Sequence, residues 1–289
     1  MNGIILIDKE KYMTSRDVVN KLIPIFNTKK IGHTGTLDPS ATGVLAVCIG
    51  KATKISELIT SYDKEYIAEI TLGITTDTLD MDGIITKEVD NVDVETEEIL
   101  KVINNFQGKI EQEVPLYSAI KVAGKKLYEY ARSGIEVQLP KREIEIYDIA
   151  LIDDLIKDNG KVIFKIKCHV SKGAYIRSLV RDIGLSLGYP ACMSSLRRIK
   201  QGSFKIEDCY TLNDIKNNNY KVLSIRDVLS NIEEIIVNKE LEFKIRNGSI
   251  IDKIFNNDLA KIINEDGELI AIYKKYDKDD KKAKPYVMF

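Results

Sequence analysis

Residues 31–50 read IGHTGTLDPSATGVLAVCIG, and the rest of the chain is organised around them. The stretch sets one carboxylate, Asp38, in a turn of small or turn-forming residues: Gly32, Gly35, Pro39, Ser40 and Gly43. Glycine admits positive φ and lets another backbone or a ligand come close, while proline fixes φ at the next position. The apolar run from Val44 to Ile49 that follows has to be buried. An acid held in such a turn, directly ahead of a buried segment, is presented to something. Taken alone, a turn-capping aspartate explains the same pattern.

Working outward, Gly3 to Ile7 reads as a short buried strand. Ser15 is placed to cap a helix whose apolar stripe is Val18, Val19, Leu22 and Ile23. Downstream, Tyr66 to Ile74 is apolar and β-branched enough for a strand, and a polar loop from Thr75 closes at Asp82-Gly83. Glu95 to Phe106 is a helix, with Ile99, Leu100, Ile103 and Phe106 on one side. Lys161 to Val170 alternates, setting Val162, Phe164, Ile166, Cys168 and Val170 on one face of a strand. After the turn Ser171-Lys172-Gly173 a helix starts near Tyr175, buries Ile176, Leu179, Val180, Ile183 and Leu187, and ends at Gly188-Tyr189-Pro190. Arg177 and Arg181, four apart, share another face of it.

Two stretches depart from this texture. Residues 107–142 carry Pro115, Tyr117, Gly124, Tyr128, Tyr130 and Gly134 among basic residues, with little continuous apolar pattern. Cations interleaved with tyrosines suit nucleic acid, through phosphate pairing and base stacking; a surface excursion whose tyrosines pack on the core has the same composition. From about Ile232, short apolar runs are broken by Asn247-Gly248 and Asp266-Gly267, the signals of a small β-rich module. At this size its independent stability is marginal. The chain therefore divides into a domain over 1–231, with an insertion at about 107–142, and a module over 232–289.

The totals set outer bounds. The chain has 289 residues, enough for one large domain and a small one. No N-terminal signal is visible, because Asp8-Lys9-Glu10-Lys11 ends the first apolar run, and nothing approaches the roughly 18–20 apolar residues of a membrane span. Four cysteines without CxxC spacing fit a reduced, cytoplasmic chain, and two distant histidines, His33 and His169, exclude a multi-histidine metal site. Net charge is −1, yet it is unevenly spread. Residues 116–142 hold six Lys or Arg against two Glu, and residues 171–205 hold seven against one Asp. Such segregation suits one basic face, although solvated helix faces account for it equally on charge alone.

The blocks GHTGTLDPSATGVL, KEYIAEITLGITTDTLDMDG, QEVPLYSAIKVAGKKLYEYARSG and VSKGAYIRSLVRDIGLSLG with LRRIKQGSF occur in this order and spacing. Together they resemble TruB-type tRNA pseudouridine synthases along almost the whole first 210 residues. The last 55 residues are similar, more loosely, to the PUA-like RNA-binding module such enzymes carry. The resemblance implies an α+β fold with a mixed, largely antiparallel sheet, flanking helices, and a cleft across its middle. It implies an isomerase without cofactor or metal that converts the uridine at position 55, in the tRNA T loop, to pseudouridine. tRNA is the implied partner, with no membrane and no obligatory protein partner.

By the same motif match Asp38 is the catalytic aspartate, Tyr66 the tyrosine that stacks on the target base, and Arg177 the arginine that pairs with the acid and aims it. Tyr175 lines the pocket, Leu196 packs near the base, and His33 displaces or holds T-loop nucleotides. The insertion is the mobile RNA clamp, with Lys121, Lys125, Lys126 and Arg132, together with Lys172, as RNA-binding cations. No second carboxylate is drawn into this single-acid site. Val114 stands where the family has a second proline, a departure expected to loosen the clamp segment. The acids of the C-terminal module roughly balance its lysines, which leaves its RNA contact open. Three other readings compete: a guide-RNA-dependent ribosomal RNA enzyme, a tRNA-folding factor, and an aspartate-dependent nucleoside hydrolase. Compact length without long lysine-rich extensions argues against the first.

Overall fold

The computed structural model describes all of residues 1–289. Its main sheet has ten strands. They are β1 (Gly3–Lys9), β2 (Ile31–His33), β3 (Thr42–Ile49), β4 (Lys64–Leu72), β5 (Gly108–Glu113), β6 (Lys141–Leu151), β7 (Ile156–Asp158), β8 (Lys161–Val170), β9 (Ala191–Gln201) and β10 (Phe204–Lys205). The path is β1-β3-β9-β4-β8-β6-β5, with β2 beside β3, β7 beside β8 and β10 beside β9. Every pairing is antiparallel except β9 with β3. The fold is the mixed, largely antiparallel α+β architecture expected.

Strict alternation on β8 buries every second residue, so Phe164, Ile166 and Cys168 join Ala68 and Ile70 of β4 in the largest core. Two helices cover this face: α1 (Ser15–Phe26) packs on the β1–β3 side, and α2 (Thr96–Asn104) on the β8–β6 side. Between them, α4 (Ile176–Ser186) presses Ile176, Leu179, Val180 and Ile183 into the same core; α3 (Leu127–Ser133) belongs to the insertion.

Three local expectations are corrected. Thr14, not Ser15, caps α1: its hydroxyl accepts from the Asp17 amide, and the Asp17 carboxylate answers at the Thr14 amide. The insertion is shorter than expected, because its two ends are β5 and the start of β6, paired from Glu113 with Lys141 to Gly108 with Ile146. What leaves the sheet is residues 114–140, a hairpin of Lys121–Val122 with Lys125–Lys126 followed by α3. Val114 does not loosen it. The residue is fully buried, and its amide, which a proline would lack, donates to the Pro140 carbonyl at 3.0 Å.

The C-terminal residues form a five-stranded sheet of Glu233–Val237, Leu259–Asn264, Leu269–Tyr276, Asp279–Met288 and Ile251–Asp252, in that spatial order. Asp266-Gly267 turns a hairpin as expected, but Asn247-Gly248 instead ends a helix, Lys239–Arg246. Ile272 and Val287 pack with Ile4, Leu6, Val44 and Phe204 in one shared cluster, so this sheet closes a core that the main sheet begins.

Candidate active site

The turn between β2 and β3 is held from three sides. The Ser15 hydroxyl accepts from the Leu37 amide at 2.9 Å and donates to the Leu37 carbonyl at 3.2 Å. The Tyr12 amide donates to the Pro39 carbonyl at 2.8 Å, and the Lys9 ammonium reaches that oxygen at 3.3 Å and the Met13 carbonyl at 2.6 Å. Lys9 is wholly buried without a carboxylate partner; burial lowers its pKa to about 8, with nearby Asp38 pulling the other way. These anchors fix the backbone on both sides of Asp38 and leave its side chain partly open.

Gly43 has a purpose other than room for a ligand. At φ +104°, a Cβ there would sit 2.1 Å from the Arg198 carbonyl oxygen, so glycine is what permits the single parallel contact of the sheet, β3 on β9. Gly35, at φ +92°, lines a groove beside the cleft, and a Cβ there would stand 3.5 Å from Arg198 Nη1.

Arg177, one residue into α4, is the hub. Its Nε forms an ion pair with Asp38 Oδ2 at 3.0 Å, while Nη1 donates to the Thr78 carbonyl at 2.9 Å and Nη2 to the Tyr117 carbonyl at 3.0 Å. The guanidinium is buried, and the two carbonyl bonds fix its plane beside the Asp38 carboxylate. A second acid joins it: Asp80 Oδ2 lies 3.7 Å from Arg177 Nη1. Burial raises the Asp80 carboxyl pKa, against the Thr78 hydroxyl bond and Arg177, which lower it. The expected single-acid pairing is therefore an arginine between two aspartates. Of the two side chains, Asp38 is 36% exposed and Asp80 only 8%, so Asp38 is the one that faces the cleft.

The cleft has a volume of about 360 Å³ and is lined by Asp38, Tyr66, Tyr117, Tyr128, Tyr175, Arg177 and Leu196, among others. Tyr66 on β4 and Leu196 on β9 come from neighbouring strands, where Ala68 sits opposite Leu196 and Arg198 opposite Tyr66. Tyr175 caps the start of α4, its amide donating to Gln112 Oε1 at 2.8 Å, and burial raises its phenol pKa. The buried Ser118 hydroxyl has no hydrogen-bond partner within the protein.

Asp38, Tyr66, Tyr175, Arg177 and Leu196, taken from three of the four sequence blocks, thus meet in one cleft, with Tyr117 and Tyr128 of the remaining block in its wall. Lys172 lies on an adjoining groove. Lys121, Lys125 and Arg132 are exposed on the insertion, outside the cleft lining; Lys126 and Arg132 flank the Tyr128 ring at 5.3 and 5.4 Å from its centroid. His33 is on β2, its Nδ1 buried without a partner and its pKa lowered by burial, Arg198 and Arg16. Lys9 and Asp80, and Ser15 in any role but that of helix cap, are not marked as site residues by the sequence. Asp80 lay inside the TDTLDMDG block, which was its one visible signal; the other two act only through backbone carbonyls and amides.

Similarity to known proteins places this fold, with its arginine-paired aspartate beside a tyrosine-lined cleft, among the pseudouridine synthases. The N-terminal domain of TruB family pseudouridylate synthases matches residues 24–176, and the tRNA pseudouridylate synthase B C-terminal domain matches residues 177–237. The chain belongs to the TruB family. It is 42% identical over 297 residues to tRNA pseudouridine synthase B of Halalkalibacterium halodurans, covering 100% of this chain and 97% of the relative. With the Bacillus subtilis tRNA pseudouridine synthase B it shares 42% over 287 residues, 94% and 93% of the two chains. Among solved structures, a Cbf5-Nop10-Gar1 complex superposes with a TM-score of 0.68 at 28% identity, over 94% of this chain and 78% of that one. No helix is long and apolar enough to cross a membrane.

Proposed function

We propose that this protein isomerises the uridine at position 55 of the tRNA T loop to pseudouridine, with Asp38 as the catalytic carboxylate. The observation that supports this best is the 3.0 Å pairing of Arg177 with Asp38 at the floor of a tyrosine-lined cleft. The N1–C1′ glycosidic bond breaks and a C5–C1′ bond forms, and the proton lost from C5 is matched by one gained at N1, so atoms balance without a co-reactant. A carboxylate serves as nucleophile towards either the sugar or the base. The assignment of Asp38 is the same on both routes.

The target lies within a folded loop and has to be flipped out to reach Asp38, at a cost of a few kcal/mol. Stacking on Tyr66, with Leu196 beside it, offsets that cost. Arg177 aims the acid, and Asp80 and the two backbone carbonyls hold Arg177 in turn. The insertion, with Lys121, Lys125, Lys126 and Arg132, closes over the RNA and brings Tyr117 and Tyr128 to the cleft wall. His33 holds displaced loop nucleotides.

The experiment is modification mapping of an unmodified tRNA transcript with wild-type protein and Asp38→Asn. Wild type should convert the T-loop uridine without change of mass and without releasing uracil. Asp38→Asn should form no pseudouridine while binding tRNA within about tenfold of wild type, because the carboxylate acts on the reacting nucleotide and not on the backbone contacts. Turnover by Asp38→Asn would sink the assignment. Free uracil would point to a hydrolase, and undiminished tRNA refolding by Asp38→Asn would show a separate folding activity.

A further inference from the structure

Beside the catalytic cleft, and sharing Thr36, Tyr66, Ala174 and Tyr175 with it, runs a second groove of about 710 Å³. Its floor contains two buried cations, Arg198 at 1% and Lys64 at 7% exposure. Arg198 donates through Nε to the Val44 carbonyl at 2.7 Å and through Nη2 to the Gly35 carbonyl at 3.1 Å, while Nη1 makes no hydrogen bond within the protein. Lys64 donates to the carbonyls of Thr60, at 2.7 Å, and Tyr62. Neither has a carboxylate within salt-bridge distance, although the neighbouring Arg197, Lys200 and Lys167 are all paired with acids. Carbonyls satisfy N–H groups without cancelling charge, and a buried cation left unneutralised is costly.

The rim adds Arg142 and Lys172, both exposed, against the exposed carboxylates of Glu57 and Glu143; Glu143 is already engaged by Lys109 at 3.4 Å. Four cations face two acids, and both acids stand away from the buried floor. Tyr66 forms a wall common to both spaces, so whatever occupies the groove is within one nucleotide's reach of a base stacked on that ring.

We propose that the groove floored by Arg198 and Lys64 is a phosphodiester subsite, taking the backbone phosphate next to the flipped nucleotide. This rests on the reading of the cleft as the site of a flipped uridine. An anionic oxygen there completes the guanidinium of Arg198 through its free Nη1 and neutralises both buried charges at once. It also fixes the ribose relative to Asp38, so the subsite supplies register that the base contacts alone do not.

The test is equilibrium binding of T stem-loop hairpins in which single phosphates around the target are replaced by uncharged methylphosphonates. Each substituted linkage carries a 2′-deoxy sugar on its 5′ side, as does its phosphate control. With unaltered protein, one methylphosphonate adjoining the target should weaken binding by about tenfold, the worth of a charge-assisted contact. Lys64→Met should weaken binding of the control hairpin and be nearly insensitive to that same methylphosphonate. Binding within twofold of the control for every linkage adjoining the target overturns the subsite, and so do independent, multiplicative effects of the variant and the methylphosphonate. Pseudouridine formation on the control hairpin is scored separately. Its absence would count against the proposed reaction, while the binding cycle still decides the subsite.

Discussion

One guanidinium serves two carboxylates: Arg177 places Nε 3.0 Å from Asp38 Oδ2 and Nη1 3.7 Å from Asp80 Oδ2. The planar guanidinium meets both acids and two backbone carbonyls at once, and lysine, a point charge on a flexible stem, cannot reproduce that set. Arg177→Lys should therefore lower kcat by about a hundredfold or more, the scale on which removing one preorganised donor acts, with tRNA affinity little changed. Single-turnover rates beside filter binding check this; an equal loss in both would make Arg177 a binding residue.

Tyr66→Ala should lose most turnover, because it removes the ring on which a flipped base stacks, worth about 1–3 kcal/mol. Tyr66 is also 8% exposed and part of the main core. Thermal unfolding of the variant separates the two roles: a lowered Tm with full activity in the folded fraction would assign Tyr66 to packing.

Gly43→Ala should destabilise the fold by about 2–4 kcal/mol, from the left-handed backbone together with overpacking against the Arg198 carbonyl. Denaturant unfolding measures it. A change under about 0.5 kcal/mol, the range of ordinary surface substitutions, would mean that β3 and β9 part more easily than their close approach implies.

Stability should rise with pH between about 8 and 9. Burial lowers the pKa of both Lys9 and Lys64 to about 8, against 10.5 unperturbed, so above pH 8 the unfolded chain binds more protons than the native one. Their cost is fully present below pH 8 and fades as pH climbs towards 10.5. Above pH 9 the slope is opposed, because burial raises Cys48, Cys168 and Cys209 from 9.0 to about 12. Denaturation midpoints at pH 7.5 and 9 test this, and Lys64→Met should show a smaller gain than wild type.

Replacing Lys121, Lys125 and Arg132 by Gln should weaken tRNA binding and flatten its salt dependence, by about 0.7–0.9 in the log–log slope for each phosphate no longer neutralised. All three are exposed and none is in a salt bridge. An unchanged slope would remove the insertion from the RNA interface.

Much was decided by the sequence itself. The alternation of Lys161–Val170 fixed which face of β8 is buried, and the stripe of Ile176, Leu179, Val180 and Ile183 fixed which face of α4 packs on it, because periods of 2.0 and 3.6 residues are local properties of the backbone. The four ordered blocks likewise singled out Asp38, Tyr66, Tyr175, Arg177 and Leu196. Only the tertiary structure decided what surrounds them. Ser15 and Lys9 steady the Asp38 turn through backbone atoms, and such bonds leave no residue pattern to read. Asp80 meets Arg177 because its loop is bridged to Met193 of β9, and Arg198 lies unneutralised beside Tyr66 because β9 also runs next to β4. Gly43, within residues 31–50, is glycine because of that same strand: its missing Cβ makes way for a carbonyl 155 residues further along.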